Sequence, residues 1–264
     1  MSAEKDMSGE LETVPEKLTV LLTNDDGYKA PGLTELASLC HWDKRVDLWV
    51  IVPYHNQTGQ SQAISLQRDI AIAKKSSEAG LQTIVVDGTP ADCVYLGVQK
   101  LMPRRPDIII SGINHGANFG CDIHYSGTVG AAREGAIYSI PSIALSHDAN
   151  FSPDFPYDDL AWLAHYLIFQ ENLWKELGRH SFLNINIPKN IDFNYNGKEK
   201  IYKHASLARS RWGGDISLRT VKGNENSLVA RLGNERIIAE GGYPTSDYEV
   251  VREQGKVSIT VLGV

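Results

Sequence analysis

Cysteine is scarce in this chain: Cys40, Cys93 and Cys121 are the only three in 264 residues, too few and too widely spaced for a disulfide framework or a thiolate zinc site. A reducing cytoplasm is the compartment that suits them. No run approaches the ~18 to 20 apolar residues of a membrane helix. Met1 to Lys17 is acidic and polar without an apolar centre, and reads as a disordered leader rather than a signal peptide. Positive charge is also short: 26 Lys and Arg stand against 32 Asp and Glu, a net charge of -6. Neither a nucleic-acid polymer nor a membrane surface is therefore expected as a partner. Several catalytic signatures are missing. There is no G-x-x-x-x-G-K-[ST] loop, no G-x-G-x-x-G after the first strand, no G-x-S-x-G elbow and no H-E-x-x-H. The expected ligand is a small molecule.

What is present is a series of apolar runs alternating with helical patterns. LTVLL from Leu18 is followed by Val46 to Pro53, Thr83 to Gly88, Asp107 to Ser111, Ser142 to Ser146 and Phe182 to Pro188, all rich in β-branched residues. Continuous runs of this kind are strands covered on both faces. Helices are expected at Gly32 to Cys40, Pro90 to Leu101, Thr128 to Tyr138 and Asp159 to Leu177, the second with Thr89 as its cap and Pro90 in its first turn. This is an α/β, Rossmann-like order, with a mostly parallel sheet and helices on both faces. Its 42% hydrophobic content is enough for a large core. In such folds ligands bind beyond the carboxyl ends of the strands.

The residues at those ends are polar and glycine-rich. The first run stops at Asn24-Asp25-Asp26-Gly27; later ends carry His55-Asn56-Gln57-Thr58-Gly59, Asp87-Gly88-Thr89 and the long segment Gly112 to Thr128. Adjacent carboxylates repel each other and resist desolvation unless a cation, a proton or a hydrogen-bond network compensates. The simpler alternative on this stretch alone is that one Asp caps the following helix and the other is solvated. Nearby, Thr58 supplies a hydroxyl, Asn56, Asn114 and Asn118 supply amide oxygens, and Asp122 a further carboxylate. An all-oxygen set suits one Mg²⁺ or Mn²⁺, or Ca²⁺ in a crystal. Gly112, Gly116 and Gly120 suit close backbone approach to a ligand, and Ser126-Gly127-Thr128 opens an Ala-rich helix whose amino end can hold phosphate. His55, His115, His124 and His147 lie in or near these loops and read more simply as hydrogen-bonding residues. A cation beside an anion cradle points to metal-assisted phosphoester hydrolysis.

T-N-D-D-G, N-Q-T-G, G-T-P-A-D-C, S-G-I-N-x-G-x-N-x-G and Y-S-G-T-V-x-A-A-x-E-G, in this order from about Leu18 to Ser146, closely resemble the survival protein E (SurE) family of 5′/3′-nucleotidases. The segment T-S-D-Y-E-V-V-x-x-x-G-x-V-S-I-T resembles that family's C-terminal pattern, with Val261-Leu262 in place of its Pro-Leu. The resemblance implies one divalent cation per subunit held by Asp25, Asp26, Thr58 (Ser in many members) and Asn114. It further implies that Asn118 and the Ser126-Gly127-Thr128 turn meet the phosphate, with Asp25, Asp26 and Asn118 catalytic and Asn56 a further candidate. The substrate would be a nucleoside monophosphate, with 3′-nucleotidase and exopolyphosphatase activity also in view.

Two other readings stand beside it. A phosphoacceptor receiver places an acidic pair after its first strand and an acceptor where this chain has Asp87, but it needs a Lys where Ser146-His147-Asp148 stands. A non-catalytic nucleotide sensor would share the same scaffold.

After Pro188 the pattern changes. Residues 18–188 are expected to form the catalytic core and 189–264 an extension: a strand, a hairpin of SLVARLGN with RIIAEGG, a helix near Thr245 to Gln254 and the last strand KVSITVLGV. Arg209, Arg211 and Trp212 read as a polar turn before the hairpin. The extension has too little apolar content for its own core, so it packs on the first part or exchanges with another subunit. A homodimer or homotetramer is the expected assembly, as the resemblance also implies.

Overall fold

The computed structural model describes residues 17–76, 80–148, 157–191, 200–222, 224–233, 235–238 and 245–264. The expected leader, except for Lys17, lies outside the described residues. The first part runs β1 (Leu18–Thr23), α1 (Pro31–Trp42), β2 (Val46–Pro53), β3 (Ile72–Ser76), β4 (Gln82–Val86), α2 (Pro90–Leu96), β5 (Ile108–His115), α3 (Gly127–Ile137), β6 (Ser142–Asp148), α4 (Tyr157–Phe169) and β7 (Ser181–Pro188). The second runs β8 (Tyr202–His204), β9 (Ser210–Gly213), β10 (Ser217–Val221), β11 (Asn224–Arg231), β12 (Glu235–Ile238), α5 (Asp247–Arg252) and β13 (Val257–Gly263).

Nine strands form one sheet in the order β3-β4-β2-β1-β5-β6-β7-β13-β8. Its pairs are parallel except β3 with β4 and β13 with β7. Val20, Leu22, Ile108, Ile110, Ile143 and Leu145 pack with α1 and α4 on one face; Leu21, Ile51, Ile109 and Ile140 pack with α2 and α3 on the other. Burial on both faces explains why these strands are continuous apolar runs. β1 sits between β2 and β5, and the chain leaves it in opposite directions, so a crevice opens where their carboxyl ends part.

The structure departs from the sequence reading in particular places. β3 (IAKKS) went unread because all five residues are exposed on the sheet's edge, with no buried face to impose alternation. α2 gives way at Gly97 to a π-helical turn, Gly97–Leu101. α4 stops at Phe169, and Asn172, at φ 52°, begins a short 3₁₀ turn over Leu173–Glu176, so the helix expected to Leu177 is broken. β5 continues past Ser111 through a register shift to His115.

The expected hairpin pairs otherwise: β11 (SLVAR) folds back on β10, and β12 (ERII) returns to β9. Arg211 and Trp212 therefore lie in a strand, not a turn. The ends of the second part join the core: β13 lies between β7 and β8 in the main sheet, with Val257 and Ile259 buried. The sheet thus runs past residue 188. No described helix is long and apolar enough to cross a membrane.

Candidate active site

β1 ends inside the protein. Thr23, Asn24 and Asp25 are buried and Asp26 is half-buried. The Asn24 side chain donates to the Gly27 carbonyl at 2.9 Å and closes the turn that presents both carboxylates. The hydroxyl of Thr128, in the first turn of α3, donates to Asp25 Oδ1 at 2.5 Å, and the Thr128 backbone N–H also supports that carboxylate. Asp26 accepts from the His115 backbone N–H at 3.1 Å through Oδ2 and from the Asn56 amide at 3.3 Å through Oδ1. The carboxyl ends of β1 and β5, the loop after β2 and the amino end of α3 thus converge on two adjacent aspartates.

Their electrostatics reflect this. Burial, and then the neighbouring Asp26 charge, push the Asp25 carboxyl up to about 6 against the hydrogen bonds from Thr128. Burial also raises Asp26, opposed by the His115 N–H and Asn56. The described residues set no Lys or Arg against either carboxylate. Nor do they hold a cluster of three His, Cys, Asp or Glu side chains suited to a metal, so a cation here would draw on amide and hydroxyl oxygens as well. Two unneutralised carboxylates among neutral oxygen donors fit a hard divalent cation.

Of the residues singled out from sequence, Asp26, Asn56 and Thr58 line one cavity of about 370 Å³ with His115 and Tyr157. Thr58 is exposed, and its N–H donates to Asn56 Oδ1 at 2.9 Å. The amide nitrogen of Asn114 is held by the Gly116 carbonyl at 2.7 Å, which fixes its side chain. Asn118 is buried and donates to Ser146 Oγ at 2.7 Å; Asn186 Oδ1 accepts from its backbone N–H at 2.8 Å. Ser126 Oγ caps α3 by accepting from Val129 N at 3.1 Å.

Four readings change. Thr128 does not face a bound anion: its hydroxyl and its N–H both serve Asp25, which itself occupies part of the helix amino end. A side chain at Gly127 would press on Asp25, its Cβ lying 2.9 Å from that of Asp25. The close approaches at Gly112 and Gly120 are to Leu145 and to Ala208 and Ser210, not to open space for a ligand. Asp122 is no free oxygen donor, since it is ion-paired with Arg236. Among the histidines, His55 and His124 are exposed, while burial, and then the His115 charge, lower buried His147 to about 4.

The receiver reading fails on topology. The strand beside β1 that faces Asp25 and Asp26 is β5, while Asp87 follows β4, separated from β1 by β2. Sequence reasoning missed Arg236, Asp247 and Tyr157. No motif marks Arg236 or Tyr157, and Asp247 stands in the T-S-D-Y-E-V-V segment without a local sign of its role; each reaches the loop of Ala117 to Ser126 or the acidic pair only through the tertiary fold.

Comparison with known proteins agrees with this architecture. The family model described as Survival protein SurE matches residues 20–213. A 5′-nucleotidase SurE of Pseudomonas syringae pv. syringae (strain B728a) is 37% identical over 248 residues, covering 93% of this chain and 92% of its own. One from Anaeromyxobacter sp. (strain Fw109-5) is 35% identical over 250 residues, covering 93% and 89%. One from Sorangium cellulosum (strain So ce56) is 48% identical over 136 residues, 50% of each chain. The crystal structure of the SurE protein from Aquifex aeolicus superposes with a TM-score of 0.68 at 29% identity, over 93% of both chains. The sequence match and the shared fold span most of the chain, and the chain belongs to the SurE family.

Proposed function

We propose that this protein is a divalent-cation-dependent 5′-nucleotidase that hydrolyses nucleoside monophosphates. The carrying observation is the meeting of Asp25 and Asp26 with the amino end of α3, joined by the 2.5 Å bond from Thr128 to Asp25. The relatives named as 5′-nucleotidases support the substrate class. Asp25, Asp26, Asn114 and Thr58 would hold the cation, with Asn56 ordering Thr58 and Asp26. When bound, the cation supplies charge neutralisation at the phosphoryl group and lowers the pKa of a coordinated water.

The chain's own groups do the rest. Asp25 is buried and oriented by Thr128, so it serves as a fixed anionic ligand. Asp26 lines the cavity, which supports it as the group that would orient an attacking water and take its proton. The Ser126 hydroxyl, the Gly127 N–H and the Asn118 amide supply donors to the non-bridging oxygens as charge develops. Activity on 3′-nucleotides belongs to the same reading, because a site that grips phosphate makes few demands on which hydroxyl carries it.

Assembly as a homodimer or tetramer is part of this proposal. Ile216, Leu218, Leu228 and Leu232, in and beside the β10–β11 ribbon, are 63 to 75% exposed, an apolar surface that a second copy would cover. Phosphate release from a nucleoside 5′-monophosphate with Mn²⁺ or Mg²⁺, abolished by a chelator, tests the reading. Absence of turnover with either metal would favour a nucleotide sensor.

A further inference from the structure

The segment from Ala117 to Ser126 carries Asn118 and ends at the cap of α3. It has one short 3₁₀ turn, Gly120–His124. Asn118 is held by Ser146, Asn184 and Asn186, and His124 and Tyr125 by Ser61, but the stretch from Phe119 to Asp122 takes anchors from more than eighty residues downstream. Arg236, on β12, ion-pairs with Asp122 and donates to the Ala117 carbonyl at 3.1 Å. The same guanidinium lies between two rings, 5.1 Å from Phe119 and 5.6 Å from Trp212 on β9. Asp247, at the start of α5, accepts from the Gly120 N–H at 3.0 Å and from the Ala208 N–H at 2.8 Å.

Asp122 is the pivot of the segment. Its carboxylate accepts from the Phe119 N–H and its backbone carbonyl from the Ser126 N–H, both at 2.9 Å. A displacement at Asp122 is therefore passed directly to the residue that caps α3.

We propose that Arg236 is a positioning residue for the phosphate site: it clamps Asp122, Phe119 and the Ala117 carbonyl, and through Asp122 fixes Ser126 where it meets the anion, beside an Asn118 that Ser146, Asn184 and Asn186 hold. This rests on the phosphatase reading for its consequence, but not for the clamp itself. Arg236 is suited to the task, because a planar guanidinium can bond a carboxylate and a carbonyl while stacking on aromatic faces, and an ammonium cannot do all three. It would make the β9–β12 ribbon a support for the site, distinct from the β10–β11 surface proposed for a second copy.

The test uses the full-length protein and two readouts that need no turnover. These are calorimetric binding of inorganic phosphate in the presence of Mn²⁺, and amide hydrogen exchange. Arg236→Met keeps the stem and removes the guanidinium. It should weaken phosphate binding about tenfold and speed exchange at Gly120, Cys121 and Ser126 by a similar factor, leaving the amides of β1 and β6 unchanged. Arg236→Lys should recover only part of both. If Arg236→Met does not fold, Asp122→Asn and Arg236→Lys carry the same comparison. Wild-type phosphate affinity and wild-type exchange in these variants would overturn the clamp. So would exchange that rises evenly across the sheet, the mark of a merely structural residue. Wild-type protein that binds phosphate but turns over no nucleotide would instead sink the phosphatase reading and leave the clamp standing.

Discussion

At the carboxyl end of β1, the donors that Asp25 and Asp26 receive from the described residues are neutral: a threonine hydroxyl, backbone N–H groups and an asparagine amide. Farther along the same end of the sheet, Asp122 and Asp148 are also buried, yet each is met by an arginine from the last third of the chain, Arg236 and Arg252. A third aspartate, Asp43, lies between Arg45 and His165. The same side chain has thus been placed in two environments. Where an arginine is present, the carboxylate is a structural anchor with its charge answered inside the chain. At β1 no described Lys or Arg answers the charge. A buried acidic pair without a cationic partner costs stability, and a protein retains one at a ligand site more readily than in a core.

The sharpest way to break this comparison is to remove one charge from the unanswered pair. Asp25→Asn or Asp26→Asn should lower turnover of a nucleoside monophosphate by about a thousandfold or more. The melting temperature of the metal-free protein should hold or rise, because a buried charge has gone. Scanning calorimetry in chelator beside a phosphate-release assay reads both. A clear loss of metal-free stability would put Asp25 with the structural anchors.

A smaller effect should come from the support of that pair. Thr128→Val keeps the shape of the α3 start and removes the hydroxyl that donates to Asp25 at 2.5 Å. The Mn²⁺ concentration for half-maximal rate should rise about tenfold, in line with losing an outer contact that orients a ligand. A shift confined to phosphate inhibition, with the metal titration unchanged, would return Thr128 to the anion site.

Among the answered aspartates, Asp43 should respond to acid instead. Hydrogen bonds from Arg45 hold the Asp43 carboxyl near 2, below its ordinary 3.8, with burial opposing. A depressed folded pKa adds stability above the unfolded value, and this is lost as pH falls through the folded one. Between pH 4 and pH 2 the wild-type protein should lose stability that Asp43→Asn does not. The two proteins should be separated most at neutral pH, and urea unfolding across that range measures it. Parallel pH curves would remove Asp43 from the set.

Much of the first half of this account was legible in the sequence, for a physical reason. Strands buried on both faces must be continuously apolar, so β1, β2, β4, β5, β6 and β7 announce themselves, and ligand residues in such a sheet sit just after them. Asp25, Asp26, Asn56 and Thr58 were found that way. What was not legible had no local cause. β3 is exposed throughout, so nothing forces a pattern on it. The true partners of β11 and β12 depend on which ribbon closes. Thr128 looks like a phosphate residue by position and is turned to Asp25 where the amino end of α3 meets the turn after β1. Arg236 stands 114 residues after Asp122 in sequence, and no spacing rule connects them.

One measurement bears most directly on the claim that Asp25 and Asp26 await a cation. The thermal unfolding midpoint of the protein should be followed as Mn²⁺ or Mg²⁺ is titrated into chelator-stripped samples of wild type, Asp25→Asn and Asp26→Asn. A cation that binds only the folded state raises that midpoint, by about 2.7 kcal/mol of stability at a hundred times its Kd. The account predicts a saturable rise for wild type and little or none for either variant. An equal rise in all three, or none in wild type, would contradict it.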